Sequence, residues 1–331
     1  MIEIYKTVGV NFPAAGNGDD GSALDNIKRD LIRIPDIEEH AWVNITAPTE
    51  EELRDVSTRL DIEMDFLRAA LDEEERARIE TDNGQTLIVV DTPVVERDGK
   101  SIIYSTIPLG IIIVKHYIVT VCLRENTILD EFSCNAVKSF LTQYRTRFVL
   151  QMLYRNSIRF LTYLKHIDKL SNKYEADLHR SMKNKELFQM LRLEKSLVYF
   201  STSLKANEGV LEKLSRQERV KKYPEDAELL EDVIIENKQA IEMTNIYSNI
   251  LTGTMDAFAS VISNNLNIVM RILTSVTIVL AIPTMVSSFF GMNVAMPLSA
   301  DSPWSFLIIV GIAISLCAVV TFVLFKKKMF W

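Results

Sequence analysis

The stretch that decides the fold is ILTSVTIVLAIPTMVSSFFGMN, residues 272–293. It contains no charged residue, and a helix needs about 20 apolar residues to cross the hydrocarbon core of a bilayer. A second uncharged run, WSFLIIVGIAISLCAVVTFVLF, occupies residues 304–325. Each run taken alone is also compatible with a buried core helix. Two such runs joined by a short segment predict a hairpin of two transmembrane helices.

Basic residues predict the orientation of this hairpin. Arg271 precedes the first run and Lys326–Lys328 follow the second, whereas the connecting segment 291–303 carries only Asp301. Because cytoplasmic flanks are enriched in Lys and Arg, both termini are predicted to be cytoplasmic and the connecting loop external. The chain is therefore expected to be a multi-pass protein of the plasma (inner) membrane, in contact with lipid.

The net charge indicates which partners the remainder of the chain is suited to. It is −7 for the whole chain and +3 for residues 271–331 (four basic, one acidic), so residues 1–270 carry −10. Such an acidic surface argues against a nucleic-acid partner and favours cations, although many soluble domains are equally acidic.

The first 125 residues read as an α/β domain, with five β-rich runs bounded by turn residues. The predicted strands are Ile2–Val8, Ala41–Thr46, Thr86–Val90, Ser101–Ile107 and Gly110–Val121. A capping box from Thr49 to Glu52 predicts the start of a helix. The charged stretch Asp61–Glu80 is expected to continue as helix.

The residues that follow predict long helices. Apolar residues recur every three or four positions between Ile128 and Arg219, which favours two helices with a break near Arg180–Lys185. A further helix is expected to start at Pro224 and to reach Phe290 without a flexible linker, so that movement at one end is passed to the other. The predicted divisions are 1–125 (α/β), 126–223 (long antiparallel helices), 224–290 (stalk and first span), 291–303 (outer loop), 304–325 (second span) and 326–331 (basic tail).

Gly291-Met292-Asn293 follows the first span at the predicted outer face. Together with the two spans, the long helix and the terminal lysines, this signature resembles that of the CorA magnesium transporters. The strings LRLEKSL (191–197) and AIPT (281–284) are also similar to that family. The resemblance implies a homopentamer whose first spans surround one pore. Independently, two helices cannot enclose a water-filled path, so several copies are required.

The signature predicts a selectivity filter. Amide oxygens of Asn293 and carbonyl oxygens of Gly291 would accept hydrogen bonds from the waters that Mg²⁺ releases reluctantly, and Met292 completes the filter. Gly291 is expected to leave the helix with a positive φ. The alternative is a simple helix C-cap followed by a turn.

Helical spacing predicts one polar stripe along the stalk and first span, for which the alternative is a coiled-coil face. Its members are Asp256, Ser260, Ser263, Asn267, Met270, Thr274 and Thr277. The resemblance implies an acidic ring at Asp256, a pore-lining amide at Asn267 and a hydrophobic constriction at Met270 and Leu273. It also implies that the middle of the pore is lined by Thr277, Ala281 and Thr284.

The resemblance further implies a regulatory Mg²⁺ site between subunits. Asp232 is its expected ligand, with Glu96 as partner and Asp98 as the second choice; ordinary solvated acids are the alternative. The outer loop differs from the family pattern, since Leu298 and Ser299 stand where an acid is common, and Asp301 is expected to replace that charge. The choice among Mg²⁺, Co²⁺, Ni²⁺ and Zn²⁺ stays open.

Other function classes find little support in the sequence. It has no GxGxxG, P-loop, HExxH or GxSxG motif, which predicts that the protein is not an enzyme and has no organic cofactor. The histidines, His40, His116, His166 and His179, are scattered and predict no metal cluster. Cys122, Cys134 and Cys317 are expected to be free thiols without function. A Zn²⁺ transporter of the same architecture and a membrane-tethered sensor remain alternatives.

Overall fold

The computed structural model describes residues 1–9, 29–98, 101–137, 140–181, 184–292 and 303–327. The chain divides into two compact units, Met1–Thr252 and Gly253–Trp331. The first unit is an α/β structure with long helices, and the second is a pair of apolar helices. The predicted fold class is therefore confirmed.

The elements are numbered here in chain order. The strands are β1 Ile2–Gly9, β2 Arg29–Arg33, β3 Trp42–Thr46, β4 Arg78–Asp82, β5 Gln85–Asp98, β6 Ser101–Val114 and β7 Tyr117–Cys122. The helices are α1 Glu50–Leu60, α2 Met64–Ala69, α3 Thr127–Ser133, α4 Arg145–Ser181, α5 Asn184–Ser215, α6 Glu218–Lys221, α7 Pro224–Phe290 and α8 Pro303–Lys326.

The first unit is a three-layer structure around one sheet. Its strand order is β2-β1-β3-β7-β6-β5-β4, and all neighbouring strands are antiparallel except β3 and β7. Side chains alternate along each strand, so Leu87 and Val89 of β5 pack on the face covered by α1 and α2. Ile88 and Val90 pack on the other face, against α3, α4, α5 and the start of α7.

Buried amides attach α4 and α5 to the sheet. Asp91 of β5 lies beyond the last pair that β4 offers, Arg78–Val89, so its backbone has no strand partner on that side. The Asn207 side chain accepts the Asp91 N–H at 2.9 Å, and the amides of Asn207 and Asn156 each donate to its carbonyl at 2.9 Å. Both asparagines are buried, so the two helices satisfy backbone groups that would otherwise be unpaired.

The start of α1 is as predicted, but the helix after it is not. The Glu52 N–H donates to the Thr49 hydroxyl, and the Thr49 N–H donates to the Glu52 carboxylate, which is the expected capping box. The expectation of a helix over Asp61–Glu80 is wrong. Asp61 has φ +56° and ends α1 in the left-handed conformation. The short α2 follows, and β4 then pairs with β5 across a tight Asn83-Gly84 turn, both of whose residues have positive φ.

The strands near Gly110 also differ from expectation. Instead of two strands separated at Pro108, β6 runs unbroken to Val114, and the chain then turns at Lys115-His116 into β7. Gly110 does not interrupt the strand. Its lack of a side chain is needed for packing, because a Cβ there would lie 2.8 Å from the Cβ of Ala70. Strand β2, which pairs with β1, was not predicted at all.

Candidate ion pathway

Helix α7 is a single helix of 67 residues. Most side chains in its apolar C-terminal part are exposed on the surface of this chain. Both α7 and α8 contain an 18-residue window apolar enough to cross a membrane, and only 6% of each window is buried. An apolar surface of this extent requires lipid or further protein around it.

The residues predicted to line a pore lie on the exposed surface of α7. They are Asp256, Asn267, Met270, Leu273, Thr277, Ala281 and Thr284. Met270 is 52% and Leu273 is 58% exposed, which is high for large apolar side chains. Since residues three and four apart share a helix face, all but Leu273 follow one line, and Leu273 lies beside it next to Thr274. Ala281, Thr284, Ser288 and Met292 jointly line one shallow groove of this surface.

The opposite side of α7 faces α8. Pro283 and Ser287 share a small cavity with α8 residues, among them Ala313 and Cys317. The Cys317 thiol also lies 3.6 Å from the Val279 carbonyl oxygen and donates to it. Val279, Pro283 and Ser287 are spaced by four residues, roughly half a turn from Ala281. The second span therefore leaves the polar stripe uncovered.

Hydroxyl groups of the stripe have their protons engaged on the helix itself. Ser260 donates to the Asp256 carbonyl at 3.1 Å, Thr277 to the Leu273 carbonyl at 2.8 Å, and Thr284 to the Leu280 carbonyl at 3.2 Å. This back-bonding is usual for Ser and Thr within helices. What each hydroxyl then offers outward is oxygen lone pairs, which can accept hydrogen bonds but not donate them.

The signature begins where α7 ends. The Gly291 N–H still donates to the Ser287 carbonyl at 2.9 Å, and Met292 is exposed. The expectation of a positive φ at Gly291 is wrong, because Gly84 is the glycine with positive φ among the described residues. A Cβ at Gly291 would lie 3.1 Å from the Ser287 oxygen, a close contact that a side chain there could adopt only with a small local shift. Asn293 and Asp301 lie outside the described residues.

The predicted regulatory residues lie in the first unit. Asp232 is exposed on α7. The Glu96 carboxylate accepts a hydrogen bond from Ser105 at 2.9 Å and pairs with Arg124 at 2.9 Å, so a metal ion at Glu96 would compete with a guanidinium. The Asp98 side chain is not among those described. Across the described parts of this chain, no three metal-ligating side chains lie close enough together to hold an ion.

One contact of this region was not predicted. Cys317 was expected to have no function, yet its thiol donates to the Val279 carbonyl. In a regular helix that carbonyl would accept the N–H of residue 283, but Pro283 has no N–H. The position of Pro283 was a signal that Val279 needs a donor from elsewhere. Which residue of α8 supplies it depends on the packing of the two helices, which the sequence did not reveal.

Comparison with known proteins agrees with this architecture. The family model described as CorA-like Mg²⁺ transporter protein matches residues 38–327. The class defined by fold and site is thus a membrane transport protein with two apolar helices after a large α/β unit. The chain belongs to the CorA-like Mg²⁺ transporter family.

Individual relatives support the family assignment. The cobalt/magnesium transport protein CorA of Methanocaldococcus jannaschii is 29% identical over 290 residues, covering 85% of this chain and 89% of the relative. The complete structure of the CorA magnesium transporter from that organism superposes with a TM-score of 0.80 at 25% identity, over 98% of this chain and 97% of the other. The ZntB cytoplasmic domain from Vibrio parahaemolyticus shares the fold of 80% of this chain, with 96% of that domain covered, at a TM-score of 0.55 and 11% identity.

Proposed function

We propose that this chain is one subunit of a homopentameric channel that carries divalent cations, mainly Mg²⁺ and also Co²⁺ or Ni²⁺, into the cell. The observation that supports this proposal most directly lies in the first span, where Thr284 and Ser288 line a surface of α7 that faces away from α8. Polar side chains in a membrane span are unfavourable against lipid and normally face protein or a water-filled path. Copies of α7 arranged around an axis would provide that path.

The chemistry of the stripe fits a hydrated cation. Mg²⁺ gives up its waters reluctantly, and those waters point their hydrogens outward. Hydroxyls that already donate to the helix present acceptors to such a shell, and the amide oxygens of Asn267 and Asn293 would do the same. Neutral acceptors hold the ion weakly enough for it to leave again, which conduction requires.

The membrane potential would supply the driving force. With both termini in the cytoplasm and the interior negative, inward movement of one charge is favoured by about 2.3 kcal/mol per 100 mV, and of a divalent ion by about twice that. The exposed apolar side chains of Met270 and Leu273 would form the constriction, because a narrow ring of such groups expels water when the pore is closed.

Regulation would come from Mg²⁺ bound between neighbouring first units, with Asp232 as one ligand. Bound Mg²⁺ would hold the subunits together and keep the pore closed; at low cytosolic Mg²⁺ the acidic surfaces would repel each other and the pore would open. Arg124 bears on the choice of partner, because Glu96 is already paired with it. If Glu96 is the partner, Arg124→Gln strengthens inhibition by Mg²⁺; if Asp98 is the partner, this change has little effect.

Flux through reconstituted protein tests the proposed function. Vesicles containing the protein and a Mg²⁺ indicator are given an inside-negative potential, and Mg²⁺ entry is followed for the parent, Asn293→Ala and Asn267→Ala. Asn265→Ala is the matched control, since Asn265 is an exposed amide off the stripe. We expect flux in the parent and the control and impaired flux in the two test variants. Absence of flux in the parent would favour a sensor, and Zn²⁺ flux dependent on a pH gradient would favour the Zn²⁺ transporter.

The regulatory proposal is tested in the same vesicles with Mg²⁺ varied on the side of the first unit. Asp232→Lys places a positive charge where the metal is proposed to bind, so inhibition by Mg²⁺ is expected to disappear while flux at low Mg²⁺ persists. Glu231→Lys is the control, because the neighbouring acid is also exposed. Inhibition that is unchanged in Asp232→Lys, or lost equally in both variants, would remove the assignment.

A further inference from the structure

Two of the histidines that are far apart in sequence meet at one end of the sheet. Strands β3 and β7 are parallel neighbours, and Trp42 is opposite Ile118 in their register. His40 and His116 lie two residues before this pair, just ahead of the two strands, and are consequently side by side. Their ring centres are 5.5 Å apart, and the ring planes are nearly perpendicular at 81°.

The backbone fixes both side chains in place. His40 has φ +66°, and His116 follows Lys115, which has φ +42° in the tight turn between β6 and β7. The Ile118 N–H donates to the Ala41 carbonyl directly after the pair, so the two chain segments are linked at this point. Both histidines therefore lie in turns that lead directly into paired strands, and regular elements position a site more precisely than free loops do.

The spacing of the rings suits a shared metal ion. A metal bonded to one nitrogen of each imidazole at about 2.0–2.1 Å lies about 3.2 Å from each ring centre. A tetrahedral angle at the metal then separates the ring centres by about 5.2 Å, and a right angle separates them by about 4.5 Å. The observed 5.5 Å is close to the value for the tetrahedral arrangement that Zn²⁺ prefers, which forms once each ring turns one nitrogen toward the ion.

The surroundings leave the pair available to a cation. His116 is exposed, and the His40 Nδ1 atom is shielded from solvent and has no hydrogen-bond partner in the described part of the chain. The nearby positive groups are engaged: the Lys115 ammonium pairs with Asp61 at 3.3 Å, and Arg145 donates to the Lys115 carbonyl. Exposed Glu39, next to His40, adds negative charge.

We propose that His40 and His116 form a surface site for a transition-metal dication, with Zn²⁺ as the best fit and water completing the coordination. Imidazole nitrogen binds Zn²⁺ well, whereas Mg²⁺ prefers oxygen ligands. The site therefore distinguishes transition metals from Mg²⁺, and it shares no residue with the α7 stripe or with Asp232. It does not depend on the transport proposal.

Calorimetric titration of the full-length, tag-free protein in detergent with Zn²⁺ tests this site. Excess Mg²⁺ occupies oxygen-only sites, and a Cys134→Ser background removes the exposed thiol from competition. The test variants are His40→Asn, which tolerates positive φ, and His116→Gln. His166→Gln is the matched control, because His166 is also exposed beside an aromatic ring, that of Tyr163, but has no described histidine next to it.

The expected result is one Zn²⁺ equivalent per chain that persists in Mg²⁺ and is lost in each test variant but kept in the control. Near-ultraviolet circular dichroism of buried Trp42, on the strand next to His40, verifies that the variants are folded. The proposal is overturned if the parent shows no such equivalent, or if either test variant binds Zn²⁺ as the parent does.

Discussion

The thiol of Cys317 should stabilise the membrane hairpin specifically because Pro283 is present. In an α-helix the Val279 carbonyl would accept the N–H of residue 283, and proline has none. The Cys317 Sγ atom lies 3.6 Å from that carbonyl oxygen and is its donor. No water is available in a bilayer core to replace a missing donor, so the contact should matter more there than on a protein surface.

The magnitude follows from hydrogen bonds between membrane helices, which average about 0.6 kcal/mol and reach about 1.7 kcal/mol. A thiol is a weak donor, so Cys317→Ala should lower the free energy of unfolding by about 0.5–1 kcal/mol. Cys317→Ser keeps a donor and should lower it less. In a Pro283→Ala background the helix supplies its own N–H to Val279, so Cys317→Ala should then have almost no effect.

The assay is a double-mutant cycle. The parent, both single variants and the double variant are unfolded in mixed micelles at one fixed protein concentration, with tryptophan emission, to which Trp304 at the start of α8 contributes, as the signal. The expected coupling between the two positions is about 0.5–1 kcal/mol. Effects that add within about 0.3 kcal/mol would refute the reasoning, because they would mean that the thiol and the proline act independently.

Two further predictions concern the first unit. Burial raises the pKa of Asp91, so the folded state holds this proton to higher pH than the unfolded state, and stability should fall as the pH rises above about 4. Asp91→Asn should therefore raise the melting temperature at neutral pH, with the gain vanishing on acidification; an equal gain at all pH values would contradict this. Gly110→Ala should destabilise by about 1–3 kcal/mol through overlap with Ala70. Adding Ala70→Gly should recover most of that loss in a denaturant titration, and no recovery would place the clash elsewhere.

Local signals made much of the fold predictable from sequence. The capping box at Thr49 needs only four residues, and the two spans need only uninterrupted apolar runs, so these elements were found at nearly the observed bounds. The helix expected over Asp61–Glu80 failed because charged residues give no periodic signal, and because β4 forms by pairing with β5. Helix propensity is a property of one stretch of sequence, so it does not detect the pairing of β4 with a neighbouring strand.

The candidate site also has a part that could be predicted from the sequence and a part that could not. The stripe on α7 was predictable because spacing within one helix fixes which residues share a face. Its relation to α8 was not predictable, since the contact between Cys317 and Val279 depends on how two featureless apolar helices pack. The proximity of His40 and His116 was also not predicted. The parallel strands β3 and β7 bring them together, and these strands are separated in the sequence by β4, β5 and β6.

The spacing of the residues in the stripe bears on how copies of the chain assemble. Its members alternate at intervals of four and three residues, as in Asn267, Met270, Thr274 and Thr277, and this averages 3.5 residues per turn. A straight helix has 3.6, so the stripe drifts by about 20° per heptad and by about 60° between Asp256 and Thr277. On a lone straight helix the stripe therefore slants slowly across one face. A left-handed supercoil of several α7 helices would cancel this drift and keep the stripe on one axis, which is the geometry expected of the proposed bundle.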